Sequence, residues 1–111
     1  MDSREARRRW KRAAERAVTK WVEAVLGEAQ RLAPVEEGTL RASGEAEVEV
    51  KATEVLGTVS FAQVYAAAQH EGINFVHPLG GEAKYLEKAL HRHAALGERL
   101  LAAELRAEGL V

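Results

Sequence analysis

Cysteine is absent, which removes disulfides, thiolate metal sites and a cysteine nucleophile together. No apolar run approaches the roughly 18 residues that a membrane span needs. The stretch from Asp2 to Arg12 is charged, the reverse of a signal peptide. A chain with no membrane contact, made in the cytoplasm, is the expectation. Aromatics are scarce at 5%, and proline occurs only twice. A thin core built on alanine and leucine, and largely helical, follows. Asparagine occurs once, and the bias to Glu, Arg, Leu and Ala leans towards a thermophilic or GC-rich source. The length of 111 residues allows one modest core and not two, so residues 1–111 read as a single domain.

Charge is plentiful at 30% and nearly balanced at −1, yet unevenly placed. Residues 1–20 carry eight Lys/Arg against three Asp/Glu, a net of +5, whereas residues 21–50 carry two against seven, a net of −5. Such blocks suit contacts between unlike surfaces of neighbouring subunits. They equally describe a solvated helix face followed by a solvated strand face.

Hydrophobic periodicity divides the chain. Ala6, Trp10, Ala14, Ala17, Trp21, Val25, Ala29 and Leu32 recur in steps of three and four, which predicts a helix from Ser3 to Leu32 with Asp2 or Ser3 as its cap. Pro34 ends it, because a proline excludes its predecessor from helical geometry. From Glu45 the period becomes two. Ala46, Val48 and Val50 alternate with Glu45, Glu47 and Glu49, and after a reversal at Thr53-Glu54 so do Val55, Gly57, Val59 and Phe61. Gln63 to Glu71 reads as a short helix. Gly72 to Gly81, with Pro78 inside it, reads as a flexible loop. A second long helix is predicted from Glu82 to about Glu108, stopped by Gly109. The expected fold is α+β, with helices on one face of a small antiparallel hairpin or meander.

Catalytic patterns are missing. His70-Glu71 lacks the second histidine of a zinc-protease helix, since position 74 is Asn. His91 and His93 lie two apart on a helix and point about 200° apart. Ser3, Ser43 and Ser60 have no nucleophile-elbow context, and Gly80-Gly81 is a weak anion cradle at most. The expectation is no enzyme, no metal and no cofactor. The strongest binding signal is the basic helix, with Arg4, Arg7, Arg8, Arg9, Lys11, Arg12, Arg16 and Lys20. It permits a small DNA-binding module as an alternative. Against that, Arg8, Arg12, Arg16 and Lys20 form an i,i+4 row interspersed with Glu5 and Glu15, and Trp10 falls on the apolar stripe.

Three segments together carry a resemblance. The run from Arg31 through Ala33-Pro34, Gly38, Leu40-Arg41 and Ser43 is similar to the A-P-x-x-x-G-x-L-R-x-S segment after the first helix of small head–tail joining proteins of long-tailed bacteriophages. Tyr65-Ala66 leading to Glu71-Gly72 resembles their Y-A segment. His77-Pro78, followed by Gly80-Gly81-Glu82-Ala83-Lys84-Tyr85-Leu86 and Ala89-Leu90, resembles their H-P-x-G-x-A-K-[FY]-L-x-x-A-[LI] stretch. Order and spacing agree across roughly residues 5–105. Val35-Glu36-Glu37 departs from the usual polar pair before the glycine.

That family comprises neck, tail-completion and minor capsid proteins. The resemblance implies a virion structural protein, made in the host cytoplasm, that joins the DNA-filled head to the tail. It implies a homo-oligomeric ring, commonly of six or twelve copies, in contact with head-completion or portal-side proteins and with tail proteins. Non-specific contact with packaged DNA is possible. Candidate assembly contacts are Arg8, Arg12 and Arg16 on the basic helix, Glu45, Glu47 and Glu49 on the acidic strand, and Phe75, Val76 and His77 in the loop.

Overall fold

A computed structural model describes residues 1–33, 41–61, 64–69 as backbone, and 84–111. Helix α1 spans Ser3–Leu32. The Asp2 carboxylate accepts the Glu5 backbone N–H at 2.7 Å, satisfying one of the amides that a helix start leaves open. The helix stops at Ala33, whose extended backbone (φ −62°, ψ 147°) is the geometry a residue before proline is pressed into. Its buried side is Ala13, Ala14, Ala17, Val18, Trp21, Val22, Val25 and Ala29, the predicted stripe without its two ends.

Strands β1 (Glu45–Val50), β2 (Val55–Phe61) and β3 (Val64–Gln69) form an antiparallel meander in that spatial order. The register pairs Ala46 with Val59 and Val48 with Gly57, so the apolar set of each strand meets that of the other. Val55, Gly57, Val59 and Phe61 are buried, whereas Glu45, Glu47 and Glu49 are exposed. Alternation of period two thus yields one dry and one wet face. Gly44, just before β1, must be small. A Cβ there would lie 2.7 Å from Phe61 Cε1 and 2.9 Å from Leu26 Cδ1, which ties the start of the sheet to the last third of α1.

The strand β3 corrects the short helix expected over Gln63 to Glu71. Alanine favours helix locally, but β2 offers a free edge, and pairing from Phe61↔Val64 to Leu56↔Gln69 satisfies both backbones. A lone two-turn helix gains less, and context overrides propensity. The expected loop Gly72 to Gly81 lies outside the described residues.

The C-terminal helix is also corrected: it is two helices, α2 (Lys84–Arg92) and α3 (Ala94–Ala107), broken at His93 (φ −109°, ψ 11°). The Trp21 indole N–H donates to the His93 carbonyl at 2.8 Å, while the helical Gly97 N–H reaches the same oxygen only at 3.4 Å. A side chain inserted into the backbone ladder is a recognised cause of a kink. The break lets α2 bury Leu86, Ala89 and Leu90 in the core, while α3 lies along α1. Phe61 and Tyr85 pack edge to face, with ring centres 5.4 Å apart. Helix α3 ends on Gly109 at φ 75°. The Gly109 N–H donates to Arg106 O and the Leu110 N–H to Leu105 O, a Schellman stop.

Helix α1 is therefore the spine: it packs against β1, β2, α2 and α3. At about 1.5 Å per residue its 30 residues run about 45 Å, most of the 53 Å long axis. Among the described residues no helix is long and apolar enough to cross a membrane.

Candidate assembly surfaces

The basic face of α1 divides into two rows with different fates. Arg12, Arg16 and Lys20 lean onto α3. Arg16 Nε donates to Glu104 Oε2 at 2.7 Å and its Nη2 to Glu108 Oε2 at 2.8 Å. Lys20 Nζ reaches Glu104 Oε1 at 2.6 Å, and Arg12 Nη2 reaches Glu108 Oε1 at 3.3 Å. Arg9 adds a bond to the Glu108 carbonyl at 3.3 Å, so the C-terminal end of α3 gains a cation where its dipole is negative. Hydrogen bonds from Lys20 and then Arg16 hold the Glu104 carboxyl below its usual range. Those from Arg16 and then Arg12 do the same for Glu108. The reciprocal bonds to Glu104 and Glu108 raise Arg16. Glu104 is the one buried charged residue among those described, at 8% exposure, and these partners are the reason it can be.

Of the predicted basic contacts, Arg12 and Arg16 thus belong to an intramolecular ladder, and Arg8 pairs with Glu5 at 2.7 Å. Glu104 and Glu108 are the residues missed from sequence. Their i,i+4 spacing matches the i,i+4 row Arg12, Arg16 and Lys20, a signal that exists but needs antiparallel helix pairing to be read.

The second row is Arg4, Arg7 and Lys11. Among the described residues none of the three enters an ion pair. At 100° per residue they fall within about 60° of the stripe that, further along, is the buried Val18, Val22, Val25 and Ala29. Among the described residues the buried side of α1 begins at Ala13, and towards Ser3 the same stripe carries cations in place of valine. Beside this row lies an open groove of about 490 Å³ where the ends of α1 and α3 meet, lined by Ser3, Ala6, Arg7, Trp10, Leu105, Leu110 and Val111. Trp10 is half-buried and packs against the core, so its ring is a wall of the groove more than a free stacking surface.

Glu45, Glu47 and Glu49 project together from the outer face of β1, an edge strand, opposite Ser60, Thr58 and Leu56 of β2. Val50, at the end of the same strand, is 44% exposed. Strand β1 starts beside Leu26, about 22 Å along α1 from Lys11 and about 34 Å from Ser3. Phe75, Val76 and His77 lie outside the described residues. His91 is exposed and His93 half-buried. Among the described residues no group of three or more His, Asp or Glu is placed to hold a metal ion. No family model, curated protein or solved structure matches the chain.

Proposed function

We propose that this chain is a structural subunit of the head–tail junction of a long-tailed bacteriophage, a neck or tail-completion component that assembles as a ring and joins the DNA-filled capsid to the tail. The observation that carries the reading is the ordered set of segments Ala33-Pro34 to Ser43, Tyr65-Ala66 to Gly72, and His77 to Leu90, in the order and spacing of that family. The fold supports it physically. A closed ring needs two different complementary surfaces on each subunit, and the chain carries a cationic row near the start of α1 and an anionic outer face on β1. In this reading the contacts of the basic helix pass from Arg12 and Arg16, engaged with α3, to the row Arg4, Arg7 and Lys11.

A small duplex-binding protein is the competing reading, and Arg4, Arg7 and Lys11 are what it would use. It is weakened by Trp10 being packed and by the ladder that removes Arg12, Arg16 and Lys20. The test is deletion of the coding sequence from the phage or induced prophage that carries it. Filled heads and separate tails should accumulate side by side, and supplying the chain in trans should restore joined particles. Intact infectious particles without the protein would overturn the proposal.

A further inference from the structure

No proline or glycine lies within three residues of His93, and the apolar pattern runs through it, so the local sequence gives no reason for a helix to break there. The break comes from outside. The Trp21 indole N–H holds the His93 carbonyl at 2.8 Å and leaves the Gly97 N–H 3.4 Å from it. His93 is also the one residue between α2 and α3, at φ −109° and ψ 11°. A rotation of about 50° in each angle returns it to helical values. Helices α2 and α3 then run on as one helix from Lys84 to Ala107. Local preference and tertiary packing therefore pull His93 in opposite directions.

The part beyond the break is separable. Helix α2 is fixed in the core by Leu86, Ala89 and Leu90, whereas α3 packs chiefly on α1. Among the described residues of α3 only Glu104 is buried, bonded to Arg16 and Lys20, while Glu108 takes Arg12 and Arg16. Ala13 and Ala17 lie between that cationic row and Trp21 on the surface of α1, and both are buried. This face of α1 is shaped and charged for α3, and α3 of a second copy carries the same side chains at the same spacing.

We propose that α3 is exchanged between copies of this chain: His93 straightens, α3 leaves its own α1, and it lies on α1 of a second copy, which returns its own α3. No new surface is needed, because Arg12, Arg16 and Lys20 find Glu104 and Glu108 again. The bond from Trp21 to His93 is given up, and the helical ladder through His93 is completed in its place. The exchange does not rest on the phage reading and is tested on the purified chain alone.

The experiment is sedimentation of the full chain after incubation at high concentration just below its thermal midpoint, then cooling and dilution. A dimer is expected that persists on dilution, because parting requires α3 to open, and that returns to monomer on rewarming. Two glycines inserted after His93 ease closure within one chain and weaken a straight helix. The dissociation constant of the dimer should then rise at least about tenfold. A second arm reverses the ladder. Arg12→Glu, Arg16→Glu, Lys20→Glu in one chain and Glu104→Lys, Glu108→Lys in another should each release α3, read as fast amide exchange over Ala94–Ala107 with the sheet still protected. Mixed in equal amounts, the two chains should form a one-to-one dimer with α3 protected in both, since the α3 of each then matches the α1 of the other. A native chain that stays monomeric after the incubation overturns the proposal. So does a dimer that the glycine insertion leaves unchanged, or reversed chains that fold alone and do not pair when mixed. Where the reversed chains do not fold, the native chain and its glycine insertion decide.

Discussion

Trp21 is where three parts of the molecule are held to one another, and its replacement makes a graded test. The side chain is 4% exposed in the central cluster, and its indole N–H supplies the short hydrogen bond to His93 O at the α2–α3 break. Trp21→Ala removes both functions. A buried aromatic cut to alanine costs about 3–5 kcal/mol, a large part of the roughly 5–15 kcal/mol that holds a domain of this size. Trp21→Phe keeps most of the apolar volume but leaves His93 O with only the 3.4 Å contact from Gly97 N–H. Loss of that bond should cost about 1–3 kcal/mol. Urea unfolding followed by far-UV circular dichroism reads both. The native midpoint should exceed that of Trp21→Phe, which should exceed that of Trp21→Ala, with the thermal midpoint falling by roughly 4–6 °C per kcal/mol. Amide exchange at Gly97 and its neighbours should quicken in Trp21→Phe beyond what the loss of global stability accounts for. A phenylalanine variant as stable as the native chain would refute the account of the break. An alanine variant with an unmoved midpoint would refute the packing itself.

Acid should loosen the α1–α3 pairing. The Glu104, Glu108 and Glu28 carboxyls are all held below their ordinary value of 4.5 by hydrogen bonds from Lys20, Arg16, Arg12, Arg31 and Arg92. A carboxyl lowered in the folded state adds stability above its unfolded value and loses it as pH falls through the folded one. Thermal midpoints should therefore hold at neutral pH and decline below about pH 4.5, and the double variant Glu104→Gln, Glu108→Gln should show a lower neutral plateau with a shallower acid decline. An unchanged acid slope in that variant would refute the role of the ladder. Gly44→Ala forces a methyl against Phe61 and Leu26 and should cost about 1–3 kcal/mol by overpacking. Equal urea midpoints for the native chain and Gly44→Ala would show that the approach relaxes freely.

Most of what sequence reading recovers here rests on local rules. The ends of α1 were legible because Asp2 and Pro34 act within a few residues of themselves. The alternation of Glu45–Val50 and Val55–Phe61 was legible because a strand with one buried face must show it. The burial of Trp21 and Val25 followed from the apolar stripe of α1. For the candidate site, the exposure of Glu45, Glu47 and Glu49 was legible for the same reason as the strand. The fate of Arg8, Arg12 and Arg16 was not, because an arginine on a helix surface looks the same in sequence whether water or Glu108 faces it.

Residue order alone determined a single α+β chain with a 30-residue amphipathic helix, a charged and alternating hairpin, and a block of positive charge followed by one of negative. Tertiary structure alone decided that Val64–Gln69 is a strand, since only the open edge of β2 outweighs a run of alanines. It alone decided that the C-terminal helix breaks at His93, since the bond from Trp21 spans 72 residues. It also sorted the basic helix into a row engaged with α3 and a row that enters no ion pair among the described residues. Charge and periodicity are properties of neighbours in the chain, whereas which cation finds a carboxylate depends on which helices are brought side by side: Arg12, Arg16 and Lys20 face α3 and find one, while Arg4, Arg7 and Lys11 find none among the described residues.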